Sequence, residues 1–202
     1  MVSITPSRPG TAATAFFWIA LALPAWPMLA DFWNKDRYYP ELMHDSGVLS
    51  AQLLVATLLV SPLVAVLKNT GISVEVVRWI TRCRRHLGVA GFAYAAIHLA
   101  FYLRETASLS LIVLEAVDLE MLVGWFSFCL LCLLAVTSNN WSVRRLLTRW
   151  KALHLWTYPA VLLAFLHWYL FDSFINEVLT WFAILLIARF VKLMLSRTQR
   201  PA

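Results

Sequence analysis

Long apolar stretches separated by short polar segments dominate this chain of 202 residues. A helix needs about 20 mostly apolar residues to cross a hydrocarbon core of about 30 Å. Six stretches approach that length and predict transmembrane helices: residues 12–30, 48–67, 87–103, 121–138, 152–171 and 174–195. The pattern therefore predicts an all-α membrane protein with the architecture of a six-transmembrane-helix bundle.

Two segments between the predicted spans are longer than the others, at residues 31–47 and 104–120. The first is rich in aromatic and charged residues, and it is predicted to be an exterior loop that contains His44. The second carries apolar residues from Leu109 to Val117 among acidic ones. That mixture predicts a short amphipathic helix at the membrane surface.

Lys and Arg residues lie mainly on one side of the predicted topology. Of the 17 basic residues, only Lys35, Arg37 and Arg104 fall on the opposite side. Basic residues accumulate on the cytoplasmic side of membrane proteins, so both termini are predicted to be cytoplasmic. The composition agrees, with 61% hydrophobic and 14% charged residues against roughly 45–50% and 25% in soluble domains. The net charge of +6 is assigned to contact with anionic membrane lipid, and no nucleic-acid partner is predicted.

Three histidines lie within the predicted spans: His98 in the third, and His154 and His167 in the fifth. An ionisable side chain at membrane depth is energetically costly, so repeated intramembrane imidazoles indicate a ligand, a proton path or a metal. The predicted topology places His98 and His167 at the same depth, near the exterior ends of their helices. His154 precedes His167 by thirteen residues, which is roughly 20 Å toward the cytoplasm along a helix.

Haem iron is the ligand that this arrangement favours. Two imidazoles at one depth on neighbouring helices can hold iron from both sides, and bis-histidine ligation leaves no open iron position, which suits electron transfer. His154 would then serve a second haem nearer the cytoplasm, so the sequence predicts one or two haems. On an ideal helix, however, His154 and His167 are about 140° apart. A kink at Pro159 or unwinding near His154 could turn both toward one neighbour.

His86 and His44 are further candidates with more ordinary explanations. His86 lies twelve residues before His98, near the predicted depth of His154, and could supply a fourth haem ligand. It directly follows two arginines, where an imidazole that faces lipid headgroups is common. His44 is predicted to be solvated or to join a local hydrogen-bond network.

The sequence offers no nucleotide-binding element. It contains six Gly residues and no G-x-G-x-x-G motif, and no stretch outside the predicted spans is long enough for a flavin or nicotinamide domain. Electrons must therefore arrive from a lipid-soluble carrier or a separate reductase. No substrate site is predicted, so no catalytic residue is assigned.

Four stretches in combination resemble a known family. They are His44-Asp45-Ser46-Gly47 with the apolar run at 53–63, residues 84–103, residues 134–146 and residues 149–168. With these features the chain resembles MsrQ, the family of haem-binding membrane subunits of the bacterial methionine sulfoxide reductase system, within the broader ferric-reductase-like transmembrane group. His86 stands where an apolar residue is expected in the family, and residues 118–121 lack the expected basic-Pro-Tyr pattern.

The resemblance implies a single ferric-reductase-like transmembrane haem domain over residues 1–202, with its core at 44–171. It implies b-type haem with His98, His154 and His167 as iron ligands, and FMN as a further cofactor. It also implies a multi-pass protein of the bacterial inner membrane that takes electrons from the quinone pool. The electrons would pass to a periplasmic molybdopterin reductase, MsrP, on which oxidised methionine is reduced.

Two other classes of function remain open. A ferric-reductase-like haem subunit could serve a different periplasmic or metal-reducing partner, which the departure at residues 118–121 favours. A haem-free membrane transporter or scaffold would use the histidines for proton transfer or packing. Such a protein would show no Soret absorption after purification with ample haem.

Overall fold

The computed structural model describes residues 11–34, 38–171 and 175–198, and it is helical throughout these ranges apart from short connections. The helices are α1 (Thr11–Ala22), α2 (Ala25–Asn34), α3 (Tyr39–Leu67), α4 (Val74–Thr106), α5 (Leu109–Glu115), α6 (Leu119–Val136), α7 (Asn140–Leu146), α8 (Thr148–His154), α9 (Thr157–Phe171) and α10 (Ile175–Thr198). The described ranges contain no strand, so the prediction of an all-α protein is confirmed. Four basic residues used for the predicted orientation, and the first residue of the sixth predicted span, lie outside these ranges: Arg8, Lys35, Arg37, Arg200 and Phe174.

Four helices are long and apolar enough to cross a membrane: α3, α4, α6 and the part of α10 at Asn176–Arg197. Helices α1 and α2 form a fifth candidate span if they are taken together, and they are bent by 40° where they meet. The bend coincides with Pro24, whose ring clashes with the preceding turn and whose nitrogen cannot donate a hydrogen bond. The described residues thus form a multi-pass membrane protein with four or five candidate spans, against the six predicted.

The predicted fifth span, residues 152–171, is not one straight helix. Helix α8 ends at His154, and α9 begins at Thr157 after a short turn. Pro159 lies in the first turn of α9, where its missing N–H removes no intrahelical hydrogen bond. The 15 residues of α9 rise about 22 Å, which is less than a hydrocarbon core of about 30 Å. Of the two possibilities that the angular separation of His154 and His167 raised, a kink at Pro159 or unwinding near His154, the structure shows a break directly after His154.

Of the predictions for the two long segments between spans, one agrees with the structure and one does not. Within 104–120, a short helix forms as predicted, at Leu109–Glu115. Helix α3, however, begins at Tyr39, well before the predicted second span. The prediction that His44 lies in an exterior loop was therefore wrong, because the helix extends through it. Pro40 in the first turn favours this early start, since proline has the backbone angle of a helix and its lack of a donor is harmless there.

Two closely packed helix pairs form the bundle, α3 with α4 and α6 with α9, and α10 packs against α3 and α9. One buried apolar cluster joins α3, α6, α9 and α10, and Phe92 and Ala95 of α4 pack against it; its members are Leu54, Val55, Leu58, Leu131, Leu134, Ala160, Val161, Phe165, Val178 and Leu185. Separated helices in a bilayer also have apolar surroundings, so association depends on close packing and on hydrogen bonds between helices. Both occur here, because α3 donates a serine hydrogen bond to α4 and α6 donates one to α9.

The packing of α6 against α9 can be tested at Ala160, which has no exposed surface. We expect Ala160→Leu to destabilise the protein, because overpacking a filled core costs about 1–3 kcal/mol. The midpoint of thermal unfolding in a mild detergent measures the effect. Ala183→Leu, on an exposed face of α10, is the matched control and should leave the midpoint unchanged. Equal midpoints for the two variants would contradict the tight α6–α9 contact.

Candidate functional site

A cavity of about 580 Å³ lies among α3, α4, α6 and α9. Its volume is within the range of about 300–1,000 Å³ that is typical of cofactor sites. Apolar side chains, such as Ala51, Phe128 and Leu131, provide much of its wall. His98 lines it from α4 and His167 lines it from α9, so each of the two closely packed helix pairs contributes one histidine to the cavity.

The structure brings His98 and His167 into direct proximity. Their ring centroids are 6.1 Å apart, and their ring planes are nearly perpendicular, at 88°. With metal–nitrogen bonds of about 2.0 Å and ring nitrogens about 1.1 Å from the ring centre, two imidazoles on opposite sides of one metal place their centroids about 6.2 Å apart. The observed separation therefore fits a single iron atom between the two rings.

A backbone carbonyl on the facing helix holds each of these rings. Nδ1 of His98 lies 2.8 Å from the carbonyl oxygen of Met43 on α3, and Nδ1 of His167 lies 2.7 Å from that of Glu120 on α6. A carbonyl oxygen can only accept, so Nδ1 carries the hydrogen and donates it in both rings. The neutral rings then offer the lone pair of Nε2, which is the form that ligates metal, and their orientation is fixed from behind.

The donor set of the cavity suits haem better than a bare metal ion. No group of three or more His, Cys, Asp or Glu side chains that could hold an ion occurs in the described part of the chain. Two imidazoles are enough for haem iron, because the porphyrin supplies the remaining nitrogens and the protein supplies the axial ligands. The apolar wall also matches an apolar macrocycle. The residues present here therefore fit haem.

Acidic side chains line the same cavity. Glu115, Asp118 and Glu120 lie where α5 ends and α6 begins. Tyr102 donates a hydrogen bond of 2.7 Å to Oε2 of Glu115, and His44 lines the cavity from α3. No Lys or Arg occurs among the described residues that line it. This end of the cavity is accordingly acidic.

His154 lies apart from this pair and does not line the cavity. It is the last residue of α8, and the ring of Trp150 stacks on it with 3.8 Å between centroids. Its Nδ1 lies 3.1 Å from the carbonyl oxygen of Trp150, and its Nε2 lies 3.3 Å from Oγ of Ser138, just beyond the end of α6. Nε2 would therefore have to exchange the Ser138 hydroxyl for iron in order to ligate.

His86 lines a second cavity, of about 370 Å³, between α1, α4 and α7. The aromatic rings of Trp18 and Phe17 meet its ring edge-on, at centroid distances of 5.2 Å and 6.0 Å. Nδ1 of His86 is buried and has no hydrogen-bond partner. His154 does not line this cavity, so the structure does not bring these two histidines into one site.

Sequence reasoning identified His98 and His167 but missed the groups that hold them. Their hydrogen-bond acceptors are backbone carbonyls, which have no signature in a sequence. The two glycines beside the rings do have a signal in the sequence. Gly47 and Gly124 are each followed three residues later by a serine. The G-x-x-S pattern occurs at these two places alone in the sequence.

Comparison with known proteins identifies relatives. The family described as "Ferric reductase like transmembrane component" matches residues 46–165. The "Protein-methionine-sulfoxide reductase heme-binding subunit MsrQ" of Yersinia pseudotuberculosis serotype O:1b (strain IP 31758) is 34% identical over 158 residues, which are 75% of this chain and 74% of that protein. The protein of the same description from Yersinia pestis (strain Pestoides F) is also 34% identical over 158 residues, with 75% of this chain and 73% of the relative covered.

No solved structure matches this chain significantly. The matched family region, 46–165, contains His98. It ends within α9, shortly before His167 on the same helix. The extent of the family match and the coverage of both chains by the relatives are sufficient to assign the family. The chain belongs to the ferric-reductase-like transmembrane family and, within it, to the MsrQ proteins.

Proposed function

We propose that this chain is the haem-binding membrane subunit of a methionine sulfoxide reductase system and transfers electrons across the membrane. The observation that carries the proposal is the pairing of His98 and His167 at the spacing expected for two axial ligands of one iron. The description of the relatives as heme-binding subunits of protein-methionine-sulfoxide reductase supports the same role. Haem iron bound there would supply reversible one-electron chemistry.

The surroundings of this pair suit electron transfer. A histidine on each side leaves no axial position for oxygen or substrate. The carbonyl oxygens of Met43 and Glu120 keep both rings in the ligating tautomer, and they increase the basicity of Nε2. Apolar residues of four helices form much of the wall around the two rings. The chain's own residues therefore bind and orient the redox group, and we assign the reduction of methionine sulfoxide to a partner.

We further propose His154 as a ligand of a second group nearer the cytoplasmic side. The broken helix after His154 removes the angular restraint that a continuous helix would impose on it. His86 is the candidate for the opposite ligand of a second haem, although His86 and His154 line no common cavity. FMN, which membership of the MsrQ family suggests, belongs to this proposal as an additional cofactor.

The proposed electron path runs from the quinone pool to a periplasmic molybdopterin reductase, MsrP. The sequence has no nicotinamide-binding motif, so the electrons come from a lipid-soluble carrier or a separate reductase, and we propose the former. We place the donor at the second cavity, which is lined by the polar groups of His86, Arg82 and Asn140 and by the rings of Phe17 and Trp79. Outward movement of an electron is favoured by a negative-inside potential, by about 2.3 kcal/mol per 100 mV.

A different exterior partner is the second candidate function. Residues 118–121 depart from the pattern expected of the family, and two of them, Asp118 and Glu120, line the main cavity. A subunit that serves a metal-reducing system would keep the paired histidines and change this surface. Affinity capture of periplasmic proteins on the haem-loaded chain distinguishes the two, because only the first function predicts a molybdopterin enzyme among the captured proteins.

The shared iron site predicts the behaviour of histidine variants. We expect His98→Ala and His167→Ala to remove the same haem, because loss of either axial ligand abolishes the bis-histidine site. The double variant should then lose no more haem than each single variant, whereas His154→Ala should keep the spectrum of that haem. Haem-to-protein ratios and reduced-minus-oxidised spectra measure this. His44→Ala, in the same cavity wall, is the control that should retain haem.

Two results would contradict this assignment. Additive loss in the His98/His167 double variant would show that the two residues serve separate haems. A wild-type chain that is folded and monodisperse but has no Soret band after expression with ample haem would favour the haem-free transporter or scaffold.

We propose an inner-membrane location with six spans and both termini in the cytoplasm. The basis is the segregation of the basic residues, of which only three of 17 fall on the predicted exterior side. Reporter fusions measure the outcome. Green fluorescent protein should fluoresce at both termini, and alkaline phosphatase should be inactive at both. Five spans would place the termini on opposite sides and give opposite reporter signals.

The proposed entry site predicts the effect of a change at His86. We expect His86→Leu to slow reduction of the haem by a water-soluble quinol analogue roughly tenfold, which is about 1.4 kcal/mol in the barrier. The haem between His98 and His167 should keep its content and spectrum, because His86 does not line the cavity of the paired histidines. Stopped-flow absorbance measures the rate. Thr81→Val, on an exposed position of the same helix, is the control. An unchanged rate of haem reduction in His86→Leu would contradict the proposal that the quinone binds in this cavity.

A further inference from the structure

His98 is held by a set of groups on α3 that we call the first seat. Its Nδ1 donates to the carbonyl of Met43, and its ring lies against Gly47, one helical turn further along α3. A Cβ atom on Gly47 would lie only 2.9 Å from Nδ1 of His98. Three residues later, Oγ of Ser50 donates a bond of 2.8 Å to the carbonyl of Gly91, two turns before His98 on α4. The first seat thus comprises a carbonyl, a glycine and a serine at fixed spacing.

The same groups recur around His167 and form the second seat. Its Nδ1 donates to the carbonyl of Glu120, and Gly124 follows four residues later on α6. A Cβ atom on Gly124 would lie 2.6 Å from Nδ1 and 2.8 Å from Cε1 of His167. Ser127 then donates a bond of 2.9 Å to the carbonyl of Ala160, again seven residues before the histidine. Spacing, chemical groups and hydrogen bonds all agree between the two seats.

Each part of a seat restricts a different movement of the ring. The hydrogen bond of the buried serine fixes the register of the two helices, so the histidine lies opposite the glycine. The missing side chain of the glycine lets the ring approach the helix closely enough to reach the carbonyl one turn earlier. That carbonyl then sets both the tautomer and the orientation of the imidazole. Any atom placed on the glycine pushes on Nδ1, which is the atom that makes the hydrogen bond.

We propose that Gly47 and Gly124 are positioning residues that set the reduction potential of the haem held by His98 and His167. The inference rests on the proposed function, since it concerns a haem bound between these rings. An imidazole that donates strongly from Nδ1 is a more basic ligand at Nε2, and a more basic ligand favours ferric over ferrous iron. The glycines act through the histidines, because they permit the short Nδ1–carbonyl bonds of 2.8 Å and 2.7 Å.

Gly47→Ala and Gly124→Ala test the proposal on the full-length, haem-loaded protein. Each added Cβ should displace the ring and weaken its Nδ1 bond, so the reduction potential should rise. A tenfold loss in the preference for ferric iron corresponds to an upward shift of about 59 mV for a one-electron couple. Gly124→Ala should have the larger effect, because its closest contact would be 2.6 Å against 2.9 Å at Gly47. Redox titration of the haem absorbance measures the potential.

Electron paramagnetic resonance of the ferric protein gives a second readout. The spectrum of bis-histidine haem depends on the angle between the two imidazole planes, which is 88° between His98 and His167. Rotation of either ring should shift the low-spin signal in both alanine variants. Gly88→Ala is the matched control, because it adds the same methyl group to α4 at 3.6 Å from the side chain of Thr57, an ordinary contact. Its potential and its spectrum should equal those of the wild type.

Milder variants keep the proposal testable if an alanine variant fails to fold. Ser50→Ala and Ser127→Ala add no atoms, and they loosen the seats by removing the bonds between the helices. They should raise the potential by less than the glycine variants do. Wild-type potential and spectrum in folded alanine variants, or in both serine variants when the alanine variants are unfolded, would overturn the role of the seats. A wild-type protein without haem would instead overturn the proposed function.

Discussion

The hydrogen bonds from Nδ1 of His98 and His167 to backbone carbonyls are the interaction on which the site depends. In a hydrocarbon interior an unpaired polar group costs several kcal/mol, so hydrogen-bond partners strongly stabilise a buried imidazole. Each of these two rings has a partner for one nitrogen within the protein, and the other nitrogen is available to the cavity between them. Two rings in that state, with centroids 6.1 Å apart, leave between them the space that one metal ion would fill.

The four histidines of the membrane region differ in their hydrogen-bond partners and in the cavities that they line. His98 and His167 share a cavity and face glycines, whereas His154 has both nitrogens engaged by neighbouring groups of α8 and α6. His86 has aromatic neighbours and one buried nitrogen without a partner. The rings of His98 and His167 are therefore already arranged as a pair, whereas His154 and His86 would have to rearrange in order to share a ligand. A protein that binds one haem firmly and a second group more weakly is consistent with this difference.

Much of the architecture could be predicted because hydropathy and depth are properties of a sequence alone. The long helices and the equal depth of His98 and His167 follow from apolar length and a rise of about 1.5 Å per residue. The bend at Pro24 and the break after His154 were harder to predict from the sequence, because a proline permits a kink without specifying its angle. The extension of α3 through His44 was missed, since charged residues there resemble a loop while the helix is supported by contacts with α4. Carbonyl acceptors could not be predicted, because every residue has one.

The division of the bundle into two helix pairs has a consequence for how the protein is made. Helices within a pair contact each other more extensively than helices of different pairs do. Each pair contributes one ring to the cavity, from residues His98 and His167 that are far apart in the chain. The first pair can insert and pack during synthesis while the ribosome has yet to reach the second. A haem ligated by both histidines would therefore be bound only after both pairs have been synthesised, late in the biogenesis of the protein.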